Sequence, residues 1–498
     1  MDTIETLKQD VKEGRISAER LVDLVADLCR KLEAANQRIE ELEKQCGGTP
    51  TAKIEEPFST RAEEQRQEAR GKTRRKRKST GRRGRVSTHD KVAQAERTES
   101  VFPEGVPPDA CRLSHVRPVW RLENGRAVLV AYQIYRGPGD RYGRIPGVLG
   151  RSEYGLEIVT EIAYLVYIVG LSFDKVCHLL DFFQDLRLRK SQANTLLYQL
   201  SRDWEREFDS LCTLLARSLV VHADETRWSL NSVWAFLSEK ARVLLFGVHK
   251  DAGTLQKILD PASFAGILIS DDAAVYAHFT RSQKCWAHLL RKAIKLTLQD
   301  PNNAAYRTLT DRLLEIYREA CRVQRDGRLS DAGRARKVVV LDDEILDLCV
   351  ANWLPDRPLS HGLEKDYRLL VDEVLRLLVR QELLTFVTAK PTEQPNGTTK
   401  PVDGTNNEAE RTLRGVAQAR LTGRTSKTLA GARRQTILTT VLQSLRLYLP
   451  TFTLSSVLAE LKRWWATGRS CFAELMEKLE LTPPERSVMD RILPGPSG

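Results

Sequence analysis

The chain has 498 residues, 41% of them hydrophobic, and its 78 Lys+Arg against 66 Asp+Glu give a formal charge of +12. That length and apolar content suit about two to four domains with real cores and exclude a wholly disordered chain. The most apolar run, Ile162 to Leu171, is about ten residues, about half of what a bilayer-spanning helix needs.

The positive charge is concentrated. Between Arg70 and Arg85 stand ten basic residues and no acid, and subtracting them leaves about +2 for the rest. The nine cysteines are scattered, with no C-x-x-C pair, which fits reduced thiols in a reducing compartment. Met1 to Thr6 lacks the basic-then-apolar layout of a signal peptide. These features together predict a soluble cytoplasmic protein with no membrane partner.

Residues 17–46 carry Val25, Leu32 and Ile39 seven apart, with Leu21, Leu28, Ala35 and Leu42 in the complementary seam. This heptad pattern predicts a self-associating coiled coil over 1–46, stopped by Gly47, Gly48 and Pro50. The alternative is an amphipathic helix packed on its own chain. Residues 47–100 are polar and predict a linker without its own core. Within it Arg74, Arg75, Lys76, Arg77, Lys78, Arg82 and Arg83 are candidate DNA-backbone contacts, with a solvated charge run as the alternative. Six phosphate contacts would give a slope of about −5 in log affinity against log salt.

Residues 101–150 form a small region with strand-like pieces, among them Arg126 to Tyr135. Residues 151–217 turn helical, with helices predicted near 153–169, 172–184 and 190–217 and Ser172 as an N-cap. Lys190 to Thr195 is the candidate opening of a DNA-reading helix; plain structural packing is the alternative.

A strand-rich stretch follows. Leu219–Asp224, Ser232–Glu239 and Val243–His249 read as short strands, Thr254–Leu259 as a helix and Gly266–Ser270 as another strand. Three hairpin-linked strands, a helix and a fourth strand is the order of a ribonuclease-H-like α/β fold. In it the first and fourth strands lie side by side at the sheet centre. Both of these strands run into aspartates, Asp224 and Asp271. A helical, charged stretch from His288 to about Leu384, broken at Pro301, Pro355 and Pro358, precedes a loop over 385–405. Helix resumes at Asn407, bringing Glu410, and Ile437–Leu449 reads as buried. Two strand-end aspartates and a distant helix-borne glutamate suit a pair of Mg²⁺ ions, because hard divalent cations take oxygen ligands.

Four motifs occur in order: His222-Ala-Asp-Glu-Thr226, Ser270-Asp-Asp272 closing on Tyr276, Cys285-Trp-Ala-His288 with Arg291 and Lys292, and Asn406-Asn-x-Ala-Glu-Arg-x-Leu-Arg414. In these the chain resembles the insertion sequence 66 family of bacterial DDE transposases, over most of its length. The resemblance implies that Asp224, Asp271 and Glu410 are the catalytic acids. It also implies a ribonuclease-H-like core (218–300 and 401–450) split by an α-helical insertion (301–400), with a C-terminal helical tail over 451–498. The implied chemistry is two-Mg²⁺ cleavage at the element's ends, with Mn²⁺ able to substitute, then attack of the freed 3′ hydroxyl on target DNA.

Asp224 is expected to bridge both ions. Asp271 is preferred over a solvated Asp272, and Glu410 over an exposed Glu408. Asn406 and Asn407 are expected to cap the helix and orient Glu410, and Arg411 and Arg414 are candidate phosphate contacts. Trp286 and His288 are expected to pack beside the sheet, since Cys285 and His288 alone supply only two soft ligands. The family's paired cysteines ahead of the catalytic domain are reduced here to Cys111 beside His115, too few for a four-ligand zinc site. Thr405 stands where an aspartate usually precedes the paired asparagines.

The expected partners are transposon-end and target duplex DNA, further copies of the chain through the coiled coil, and accessory proteins encoded by the element. In the cell this places the protein in the bacterial cytoplasm, on the nucleoid when DNA-bound. The alternatives are a ribonuclease-H-like nuclease that does not join, or a non-catalytic domesticated DNA-binding protein.

Overall fold

A computed structural model describes residues 86–353 and 362–493, together with Arg30. The heptad segment, apart from Arg30, and the basic run Arg70 to Arg85 lie outside the described residues. Residues 88–100, assigned above to the linker, instead carry a short helix, Thr88–Ala93, and most of a strand, β1 (Arg97–Val101). β1 is an edge strand with no fully buried side chain, so its composition is that of a linker. It pairs in parallel with β3 (Arg126–Arg136), which pairs antiparallel with β2 (Arg112–Glu123).

Four helices follow: α1 (Leu156–Tyr167), α2 (Phe173–Gln184), α3 (Lys190–Asp203) and α4 (Glu205–Ala216). Ser172 caps α2 by accepting the amide of Lys175. The single helix expected over 190–217 is two, because the buried Trp204 takes φ −93°, ψ 6° and turns the chain between α3 and α4.

The second sheet has the order β6-β5-β4-β7-β8. Its strands are β4 (Val220–Arg227), β5 (Ser232–Ser238), β6 (Arg242–Val248), β7 (Ile267–Ser270) and β8 (Ser282–Lys284). β4, β5 and β6 are antiparallel neighbours, whereas β4, β7 and β8 run parallel. The first and fourth strands are therefore adjacent at the centre. Side-chain alternation sends Val221, Ala223 and Leu268 into one core and Val220, Ile267 and Ile269 into another, so both faces of the sheet are covered.

The second of these cores is completed by α5 (Trp286–Gln299), α6 (Ala304–Arg325), α7 (Asp331–Asn352) and α8 (Leu363–Val379). The return of the chain from these helices is pinned to β8 by buried polar bonds. Gln283 Nε2 and Trp286 Nε1 both donate to Leu383 O, at 2.8 and 2.7 Å, and Gln283 Oε1 accepts the amide of Phe386. Gly404 then passes so close to Phe386 that a Cβ there would lie 2.9 Å from the ring, while its carbonyl accepts the Trp286 amide.

The chain closes with α9 (Asn407–Leu421), α10 (Leu429–Tyr448), α11 (Leu454–Thr467), α12 (Cys471–Lys478) and α13 (Val488–Ile492). The last three, expected as a tail, bury Leu461, Trp464, Phe472 and Met489 in the same core as α4.

α10 also protects the sheet's edge. Thr436, Thr440 and Ser444 accept the amides of Phe246, Leu244 and Arg242 on β6, at 3.0, 3.0 and 2.9 Å. Four helical residues rise about 6 Å and two strand residues about 6.7 Å, so one hydroxyl meets every second amide. Three side chains thus stand in for a missing strand. Thr440→Val keeps the shape but orphans the buried Leu244 amide, with an expected cost of about 1–3 kcal/mol in denaturant unfolding. A loss within about 0.5 kcal/mol, the scatter of surface substitutions, would contradict this account of the edge.

Candidate active site

Val220, His222 and Asp224 share one face of β4 by strand alternation. β4 runs on to Arg227, so Asp224 lies within the strand and not at its end. Pairing with β7 stops at His222 opposite Ile269, however, leaving Asp224 just past its parallel neighbour. Asp271 follows the last residue of β7. Both aspartates thus stand just beyond the carboxyl end of the parallel β4–β7 pairing, the side on which open α/β sheets form their crevices.

Asn406 brings the third element in. Its side chain is fully buried and donates from Nδ2 to Ala223 O at 2.8 Å, one residue before Asp224, while its amide donates to Cys285 Sγ at 3.1 Å. Asn406 therefore ties α9 to β4 and makes no side-chain cap, contrary to expectation; Asn407 is exposed. Asn406→Ala leaves the Ala223 carbonyl buried without this partner and should cost about 1–3 kcal/mol. Equal stability losses in Asn406→Ala and the exposed control Asn407→Ala would contradict the tether.

Glu410 lies in the first turn of α9. The electrostatics of Asp224 report the convergence. Burial, the neighbouring Glu225 charge, Asp271 and Glu410 push its carboxyl from 3.8 up to about 7, against the hydrogen bond it accepts from the Glu225 amide at 2.9 Å. Asp271 accepts the amide of Ala273 at 3.1 Å. Among the described residues neither aspartate enters a salt bridge, which leaves two sets of carboxyl oxygens without a paired protein cation, the donor type a hard divalent cation takes. Glu410 is paired with Arg291 at 2.5 Å, and His288 Nδ1 lies 3.6 Å from the same oxygen.

The neighbouring acids are committed elsewhere. Asp272, expected to be solvated, pairs with Arg376 of α8. Glu408, expected to be exposed, is part-buried between Arg242, at 2.7 Å, and Lys400. Burial pushes the Glu408 carboxyl up, but these two cations outweigh it and hold the group below its usual value. Glu225, which the sequence reading passed over, has a side chain only 3% exposed, held by Lys250 and by the Tyr276 hydroxyl.

The expected packing of Trp286 is found: it is fully buried against the sheet. His288 sits beside Glu410, and burial together with the Arg291 charge holds its imidazole below its ordinary value. Arg411 and Arg414 are exposed and enter no salt bridge among the described residues. Of the basic candidates in the linker, Arg74, Arg75, Lys76, Arg77, Lys78, Arg82 and Arg83, all lie outside the described residues. A cavity of about 610 Å³ opens beside Asp271 and His288, walled by Lys292 and by Glu373 and Arg376 of α8. The helices between β8 and α9 thus form one side of the site.

Residues 151–434 match the model of the transposase IS66 family. That match spans more than half of the chain and includes β4, β7 and α9, the elements at which Asp224, Asp271 and Glu410 stand. The chain belongs to the IS66 family of transposases. No curated protein matches it. No helix among the described residues is long and apolar enough to cross a membrane.

Proposed function

We propose that this transposase cuts phosphodiester bonds at its element's ends and joins the freed 3′ hydroxyl to target DNA, with Asp224, Asp271 and Glu410 as catalytic acids. The observation that carries the reading is the part-buried Asp224 carboxyl, which feels the charges of Asp271 and Glu410 although both lie far off in the chain. The sheet order, with β4 and β7 parallel at its centre, supports a ribonuclease-H-like core.

Two Mg²⁺ ions held by these acids, with Mn²⁺ as a substitute, would stabilise charge on the attacking and leaving oxygens. Asp224 would have to lose the proton that burial and its acidic neighbours favour before it could serve as a ligand. Glu410 must leave Arg291, which frees a guanidinium for a DNA phosphate. Glu225 stays with Lys250 and Tyr276 and is held out of the ligand set. Arg411 and Arg414, on the exposed side of α9, and the linker's basic run would hold the duplex backbone without reading sequence. The heptads of residues 17–46 would pair copies of the chain so that two ends are processed together.

The test is Mg²⁺-dependent nicking and joining of end-bearing DNA by the wild type and by Asp224→Asn. Equal nicking by the two would reject the assigned site. Nicking without joined product would favour a nuclease, and binding without nicking a non-catalytic DNA-binding protein.

A further inference from the structure

We propose that Cys285, His288 and Glu410 form a binding site for a soft or borderline divalent cation of the Zn²⁺ or Co²⁺ class. Only its effect on catalysis rests on the reading of Glu410 given above. The donor atoms of these three residues lie within 4.8 Å of one another. Cys285 immediately precedes α5 and His288 lies in its first turn, so a spacing of three puts both on one side of the helix end. The first turn of α9 delivers Glu410 to the same point.

Two further observations favour a cation. His288 Nδ1 is buried with no hydrogen-bond partner, and its 3.6 Å separation from Glu410 Oε1 is too long for a hydrogen bond. Cys285 is 1% exposed, and its sulfur faces the amides of Asn406, Ala287 and His288. A thiol is a weak acceptor, whereas a metal-bound thiolate is a good one. A sulfur, an imidazole and a carboxylate are a donor set for zinc or cobalt, not for Mg²⁺.

Ligands about 2.0–2.3 Å from a tetrahedral ion lie roughly 3.3–3.8 Å apart; His288 and Glu410 already stand at 3.6 Å, and the widest separation, at most 4.8 Å, must close by up to about 1 Å. Glu410 can supply that movement once Arg291 releases it. Three protein ligands leave a fourth position open to water or a phosphate oxygen. A carboxylate committed here is withdrawn from Asp224 and Asp271, so Zn²⁺ is expected to inhibit Mg²⁺-dependent nicking.

Titration of the full chain with Co²⁺ should give one equivalent of thiolate-to-cobalt charge-transfer absorption, displaced by Zn²⁺. Cys285→Ser should abolish the band, His288→Gln should weaken binding at least about tenfold, and Cys321→Ser should leave it intact. No band in folded wild type, or a band retained in Cys285→Ser, would overturn the site. Should Cys285→Ser fail to fold, unchanged affinity in folded His288→Gln would overturn it equally. The two readings fail separately. Nicking without the band would remove the soft site and leave the three acids standing; the band without Zn²⁺ inhibition would support the soft site and count against Glu410 as a catalytic acid.

Discussion

Asp224→Asn is expected to lower Mg²⁺-dependent nicking of end-bearing DNA by about a thousandfold or more, while making the metal-free protein more stable at neutral pH. The first effect follows from its place in the proposed site. Removing a carboxylate that would hold the metal ions forfeits several kcal/mol of charge stabilisation, and each 1.4 kcal/mol is about tenfold in rate. The second follows from what holds the carboxyl near 7. Burial comes first, then the Glu225 charge, then Asp271 and Glu410.

The folded value lies above the unfolded one, so the native state binds the extra proton. The stability this brings is complete below about 4 and is lost as pH rises through about 7. A shift of roughly three units corresponds to about 4 kcal/mol, and partial solvent access reduces this to about 2–4. The amide carries no charge to bury and escapes the loss. Unfolding in urea at pH 5 and pH 8 measures it: the wild type should weaken between the two relative to Asp224→Asn. Parallel behaviour of the two proteins would mean that Asp224 is not in the environment described.

The strand that carries Asp224 was legible because β4 and β7 are buried on both faces, and such strands read as apolar runs. The same pattern put β4 beside β7, and with them Asp224 near Asp271. What escaped was the partnering of polar residues. Glu225 follows Asp224 in a motif of polar residues and gives no local sign that Lys250 and Tyr276, from separate segments, will enclose it. Glu408 reads as a solvated helix-start acid until β6 brings Arg242 beside it. Asp272 becomes an ion-pair partner only because α8 returns past β7. Contacts of this kind depend on tertiary approach, which periodicity does not encode. The linker misreading has a related origin: β1 gains its stability from backbone pairing with β3, and its exposed polar side chains leave no apolar signature. Cys285 and His288 offered two ligands in sequence, and only the fold brings Glu410 to them.

Lys250→Met should destabilise the protein by about 2–3 kcal/mol. Breaking a buried ion pair costs about 3–5 kcal/mol, because one charge is left without its partner. Here the lysine side chain is 56% exposed and the glutamate 3%, so water offsets part of the loss. Methionine keeps the stem's packing and isolates the charge. What remains to Glu225 is the Tyr276 hydroxyl and, next to it, the like charge of Asp224. Adding Glu225→Gln should recover most of the loss, since a neutral amide still accepts from Tyr276. A double-mutant cycle in denaturant measures that recovery. Additive losses would show that Lys250 acts through something other than Glu225.

Glu225 is also expected to influence the acid limb of the proposed reaction. Glu225 is the largest charge raising the Asp224 carboxyl after burial itself. Glu225→Gln should therefore move the rise of Mg²⁺-dependent nicking to lower pH. If that limb stays where it is in the wild type, Asp224 is not the group whose proton limits the reaction.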